Sequence, residues 1–275
     1  NTTLIPGVAD PRDDFICKGV MVPMRPHPKT PKGKTVWREV KVGILTRLGK
    51  RLTRSRESVS HLLHRRLVAV LGPLEQFIPV LQLEAYRQSI DSAPQVIWIS
   101  DGGRGFWRVY RQCFAHCAIA VLDFYHAAGH LWRAATALFN HQAGQQAWFK
   151  RWRHALRHGQ HQTVLAMLTS LVNTDLFTGK DLTTLLQVQA YFQRHHAHIR
   201  YQHFERQQIP LGSGMVESAC KWLIQQRFKG VGMRWSEPGL KHLLILRVAW
   251  VNQRFDKLFP SVPKSSLKHP SHNTY

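Results

Sequence analysis

The sequence predicts an α/β protein: a mixed sheet flanked by helices, with a large all-α insertion after the fifth strand. Three observations predict it. Apolar and β-branched runs with period-two alternation stop at Asp123, helical periodicity alone fills residues 126–206, and a glycine-bearing turn at 210–214 then opens further helices.

The elements follow in order. Residues 15–24, FICKGVMVPM, form an apolar run ended by Pro23, and a Pro- and Lys-rich loop (26–34) follows, so strand gives way to turn. Residues 35–46 place Val36, Arg38, Val40 and Val42 in period two, and RRLVAVL at 65–71 is a third strand. Loop connections between the three suggest an antiparallel meander. The basic link from Arg47 to Arg56 reads as a segment lying in solvent or on a polyanion. Pro73 opens a helix over 73–90, with Leu74, Phe77, Ile78, Leu81, Tyr86 and Ile90 at roughly helical spacing. QVIWIS at 95–100 is a compact strand that stops at Asp101. Gly102 and Gly103 break it, 104–114 reads as a short helix, and AIAVLD at 118–123 closes a βββαβαβ order.

From 126 the chain is rich in His, Gln, Trp, Ala and Leu, with helical spacing in HLWRAATALF and TVLAMLTSLV. Met215–Phe228 is a further helix, and a last one runs from about Pro238 to Phe259. The βββαβαβ order followed by helices is that of the RNase H-like fold. It divides the chain into a truncated or linker start (1–14), the first part of the core (15–125), an α-helical insertion (126–209), the C-terminal helices of the core (210–260) and a disordered basic tail (261–275).

Lys and Arg number 38 against 16 Asp and Glu, a net charge of +22. An excess of that size calls for a polyanionic partner, and nucleic acid leads. A merely basic protein is the plain alternative, because charge sets non-specific affinity and carries no chemistry. Cys17, Cys113, Cys117 and Cys220 are too few and too irregular for a disulfide scaffold, and Cys113 and Cys117 near His116 and His126 do not match structural-zinc spacing. The opening Asn1–Asp14 is no secretory signal and there is no run of 18 apolar residues, so a cytosolic, reduced protein with no membrane span is expected.

In the RNase H-like fold, carboxylates from the first strand, the end of the fourth and a late helix meet across the sheet. Two Mg²⁺ ions about 3.5–4 Å apart there activate a water or a DNA 3′-hydroxyl and stabilise the leaving oxygen. Asp101 and Glu217 sit where two of those ligands belong. A turn-forming Asp before two glycines, and an ordinary helix-surface Glu, are the plain readings of the same residues.

Four strings change that balance: REVKVGILTRL (38–48), SDGGRGFW (100–107), LDFYHAAGHLW (122–132) and GSGMVESACKWLIQQRFKGVGMRW (212–235). Together they resemble the ISKra family of bacterial insertion-sequence transposases, over nearly the whole chain from Val20 to Phe259. The resemblance implies a DDE-type, Mutator-related DNA transposase that depends on Mg²⁺ (or Mn²⁺). It also implies double-stranded DNA and transposon ends as partners, action as a homodimer or higher assembly on DNA, and a place at the bacterial nucleoid. Carried over by position, Asp101 in SDGG is the second acidic ligand and Glu217 in MVES the third. Asp123 and His126 match a Cys/Asp-x-x-His signature that closes the fifth strand and supports the site. An alternative alignment makes Asp123 the second ligand, and an N-cap on the following helix is the plain reading.

The departure is at the first ligand. Such transposases carry Asp-Gly-Val-Met-Val-Pro on the first strand, and here the string is Lys18-Gly19-Val20-Met21-Val22-Pro23. A protonated lysine cannot ligate a metal, and Asp14, four residues away, is about 13 Å off in an extended strand. A degenerate or repurposed copy is therefore expected, either an impaired transposase or a non-catalytic DNA-binding protein that keeps the fold. A resolvase-type nuclease is disfavoured, because residues 238–255 hold no carboxylate.

For DNA contact, Lys221 and Gln225 fall one and two helical turns after Glu217, and Arg227, Lys229 and Arg234 follow beside Trp235. Interleaved basic and aromatic residues suit backbone and stacking contacts; solvation of the charges and burial of Trp235 are equally credible. The basic, Trp-bearing stretch from Trp148 to His158 is either a grip on DNA or, as is commoner at this spacing, packing.

Overall fold

A computed structural model describes residues 12–26, 31, 34–52 and 58–259, with the side chains of 50–52 and 58–62 left out of account. Of the start expected over residues 1–14, residues 1–11 lie outside the described residues, as does the basic tail, while Arg12, Asp13 and Asp14 already belong to the first strand. Five strands form one mixed sheet in the order β3-β2-β1-β4-β5, where β1 is Arg12–Met24, β2 Val36–Leu52, β3 Ser58–Leu71, β4 Gln95–Ser100 and β5 Ala118–Leu122. β1 pairs with β2, and β2 with β3, antiparallel; β4 lies parallel to β1 and β5 parallel to β4. The central strand is β1, as the RNase H-like order requires.

The two faces of the sheet are covered differently. Phe15, Cys17, Leu45 and Trp98 pack under α1 (Leu74–Arg87) and α2 (Arg104–Val109), and α2 continues as a π-helical turn over Tyr110–Phe114. On the other face Ile16, Val20, Val42, Ile44 and Ile99 meet the remaining helices. Those are α3 (Phe124–Leu138), α4 (Gln142–Arg157), α5 (His161–Val172), α6 (Gly179–Arg194), α7 (Tyr201–Arg206), α8 (Gly214–Ala219), α9 (Gln226–Phe228) and α10 (Glu237–Val251). Successive side chains of a strand point to opposite faces, so the even-numbered residues of β1, Lys18 among them, face the second set. Between α8 and α9 the helix widens into a π-helical turn, Cys220–Gln225. α3 to α7 form the all-helical block expected after the fifth strand.

The strands differ from the sequence expectation at β2 and β3. As far as Leu52 the basic link read as free loop continues the ladder: β2 runs to Leu52 and β3 begins at Ser58, with a register shift between Arg47 and Leu48, and residues 53–56 of the link lie outside the described residues. Arg47 is not free for a polyanion, because its guanidinium makes a two-pronged pair with Asp13 (2.9 and 2.8 Å) and donates to the Gln88 carbonyl. Charge composition suggested loop, but backbone pairing and this ion pair override it. The last helix also stops earlier than expected, at Val251. There Asn252 turns its side-chain amide onto edge strand β3, accepting from the Leu67 N–H (2.9 Å) and donating to the Leu67 carbonyl (2.7 Å).

Asp14, on the same face of β1 as Lys18, is fully buried, with the Arg12 guanidinium 3.0 Å away. Burial pushes its carboxyl up to about 7 against the pull of Arg12. The folded chain thus keeps a proton that the unfolded chain releases near pH 4, so unfolding free energy falls as pH rises from about 4 to about 7. The expected slope is up to about 1.4 kcal/mol per pH unit. Asp14→Asn removes this contribution, and chemical denaturation across that window reads the difference. Identical slopes in the two proteins would contradict the assignment.

Candidate functional site

The register of the sheet brings the chemistry together. Cys17 lies beside Ser100, and Ser100 beside Leu122. One residue on, Lys18 in the middle of β1 therefore stands level with Asp101 and Asp123, just past the ends of β4 and β5. α8 packs against β1 and carries Glu217 to the same edge. There the Lys18 ammonium binds the Glu217 carboxylate, Nζ to Oε1 2.6 Å. Asp101 Oδ1 accepts from the Gly103 N–H (3.1 Å), an interaction that turns the chain sharply after β4.

Asp123 is buried and fully engaged. Its Oδ1 accepts from the backbone N–H groups of Tyr125 (2.8 Å) and His126 (3.0 Å), capping α3, and its Oδ2 accepts from the Ser213 N–H (2.7 Å) and hydroxyl. Burial alone would raise this carboxyl, but hydrogen bonds from His126 and Ser213 outweigh it and hold the group well below the usual carboxylate range. The N-cap reading of Asp123 is thus correct in geometry. The same side chain also ties the end of β5 to the residue that opens α8, and so sets where Glu217 sits. His126 is shifted up, first by the Asp123 carboxylate 3.5 Å from its Nδ1 and also by the charge of Asp101, while burial and Lys18 oppose. All five sequence-selected groups, Lys18, Asp101, Asp123, His126 and Glu217, therefore belong to one electrostatic neighbourhood.

Sequence reasoning missed the wall behind this site. Gly102 has φ +83°, and a Cβ there would fall 2.5 Å from the ring of Tyr191 on α6. The Tyr191 hydroxyl donates to the Asp101 carbonyl (3.3 Å), and its ring stacks on His130 of α3 at 3.7 Å. Burial pushes His130 down to about 4, so the stack is with a neutral imidazole at physiological pH. The insertion therefore braces the Asp101 turn. Only the paired glycines signalled the close approach, and nothing in the sequence pointed to Tyr191 as the approaching group.

The residues present do not fit a two-metal centre. An ammonium occupies the first-strand position and engages the carboxylate that would serve as third ligand. Asp123 has both oxygens committed, and Asp14 is enclosed in the core. Among the described residues no three His, Cys, Asp or Glu side chains converge in a metal-holding group.

Lys221, Gln225, Arg227, Lys229 and Arg234 are all exposed. The helix that carries Lys221 and Gln225 widens into a π-helical turn over Cys220–Gln225. Trp235 packs: its ring meets Phe228, its indole N–H donates to the Phe228 carbonyl (3.0 Å), and its backbone bridges to Met24. On α4, Trp148 and Trp152 pack against the core while the guanidinium groups of Arg153 and Arg157 lie over the Phe124 ring, so the packing reading of that helix holds.

No family model matches the sequence, and comparison with curated proteins gives no match. Among solved structures, the chain is similar to the Drosophila P element transposase of a strand transfer complex, with TM-score 0.38 and 10% identity over 89% of this chain and 78% of that one. Among the described residues no helix is long and apolar enough to cross a membrane.

Proposed function

We propose that this chain is a DNA-binding protein with the catalytic fold of a DDE-type, ISKra-like transposase, in which Lys18 has disabled two-metal phosphodiester chemistry. The observation that carries the reading is the Lys18–Glu217 ion pair at 2.6 Å beside Asp101, on an RNase H-like sheet. The fold supplies the positions of three acidic ligands; this sequence fills the first with a cation that neutralises the third. What remains is a basic molecule of net charge +22, suited to the phosphate backbone of transposon-end or other duplex DNA.

What the site's own residues do is hold structure. Lys18 pins α8 to β1 through Glu217, Asp123 joins β5 to the start of α8 through Ser213, and Tyr191 fixes the Asp101 turn. Exposed cations on the helix that follows, Lys221, Arg227 and Lys229, supply phosphate contacts.

The test combines binding and chemistry. Affinity for a labelled duplex is expected to fall roughly 10³-fold or more between about 50 and 200 mM salt, as for a protein neutralising six or more phosphates. Supercoiled plasmid is expected to stay intact with the chain in Mg²⁺ or Mn²⁺. Binding that barely responds to salt removes the DNA reading. Metal-dependent nicking by the unmodified chain that disappears in Asp101→Asn removes the claim that Lys18 has disabled the site.

A further inference from the structure

Exposed apolar surface gathers where β1 ends and β2 begins. Trp37, paired opposite Pro23 in the β1–β2 ladder, leaves 48% of its surface in solvent. The segment after α9 closes over the same end. Trp235 N–H donates to the Pro23 carbonyl (3.2 Å), Arg25 N–H donates to the Trp235 carbonyl (2.8 Å), and Arg234 Nη2 donates to Thr35 Oγ1 (3.1 Å). These bonds hold the base of the loop, whose tip turns at Gly232 (φ +77°) and presents a fully exposed Val231 and a partly exposed Met233. The Lys229 ammonium lies 5.5 Å from the Trp37 ring centroid. Exposed Arg234 flanks the patch, and Glu237 nearby is already paired with Arg38 and Lys241.

The combination is a flat aromatic ring, an apolar tip and cations that no carboxylate among the described residues pairs with. A paired duplex offers such a surface little beyond its phosphates, because the faces of its bases are hidden in the stack. An unpaired base has a free π-face for Trp37, while its flanking phosphates meet Lys229 and Arg234. A rigid base to the loop matters here, since stacking gains most when the platform is already ordered.

We propose that Trp37, with Lys229 and the Val231–Met233 tip, is a stacking platform for an unpaired DNA strand, such as a frayed or single-stranded end. The proposal rests on the DNA-binding reading above and specifies the form of DNA that this surface takes. It assigns the aromatic role to Trp37; Trp235, the aromatic residue nearer the basic string in sequence, serves packing.

The test uses the full chain with two labelled probes, a dT oligonucleotide of about 16 nucleotides and a blunt duplex of the same length. Trp37→Ala is expected to weaken single-strand binding about tenfold or more, with duplex affinity changed by less than about twofold. Trp37→Phe, which keeps a ring, is expected to retain most of the single-strand affinity. A wild-type chain that binds duplex but not dT overturns the platform alone, as does an alanine variant that loses neither probe or both equally, or a phenylalanine variant as weak as alanine. A wild-type chain that binds neither probe overturns the DNA-binding reading itself.

Discussion

Replacing Lys18 with aspartate is expected to raise affinity for Mg²⁺ or Mn²⁺ about 100-fold or more. The substitution changes the local charge by two units, from +1 to −1, at a position next to where a divalent ion would sit. At separations near 4 Å each unit interaction is worth about 1 kcal/mol in bulk water and about 4 kcal/mol near a protein surface, and a divalent ion doubles both. The change also releases Glu217 from its ion pair. Calorimetric titration of Lys18→Asp against the unmodified chain measures the gain, and Glu217→Gln added to Lys18→Asp is expected to abolish it. Lys18→Met separates the two contributions: it removes the cation without adding a ligand, so its affinity should fall between the two. If Lys18→Asp binds no more metal than the unmodified chain, the position of Lys18 has been misread as a ligand position.

Asp123→Ala is expected to lower stability by about 3–5 kcal/mol, because it strips four donors of a buried acceptor at once. For a chain of this size that corresponds to a fall in Tm of about 10 °C. Asp123→Asn is expected to cost nearly as much, since its NH₂ group would face the Ser213 N–H, donor against donor. The pH dependence follows from the depressed carboxyl. Its contribution is present above the unfolded value near 4 and is lost as pH falls through the lower folded value, so wild type and variant should converge only in strong acid. A second readout is His126, whose upward shift depends first on Asp123 and should reverse in the variant by NMR titration. A variant that melts with the wild type would show that Ser213 and the α3 N-terminus find other partners.

Much of the sheet was legible because alternation and apolar runs mark strands directly, and β4 falls on QVIWIS residue for residue. The end of β2 was not, because Arg47, Lys50 and Arg51 carry a strand's backbone pairing under a loop's composition. The site was legible as positions on strand ends and a helix, so the adjacency of Lys18 and Glu217 followed once the strand order was known. Its supports were not: Tyr191 and Ser213 reach the site from 90 residues away, through tertiary packing that no local pattern records. The π-helical turn over Cys220–Gln225 was not legible either. A ruler of 3.6 residues per turn fails across a π-helical turn, and nothing in CKWLIQ announces one.

Asn252 bears on how the molecule keeps company with its own kind. An unpaired outer strand invites a neighbouring chain to zip onto it, and β3 is long enough to be such an invitation. The amide of Asn252 takes up both the N–H and the carbonyl of Leu67, as the backbone of a sixth strand would. Any intruding strand must first evict it and leave a buried amide unsatisfied. One side chain at the end of α10 thereby gives the sheet a stopper, placed mid-edge, where sheet growth between crowded copies would otherwise begin.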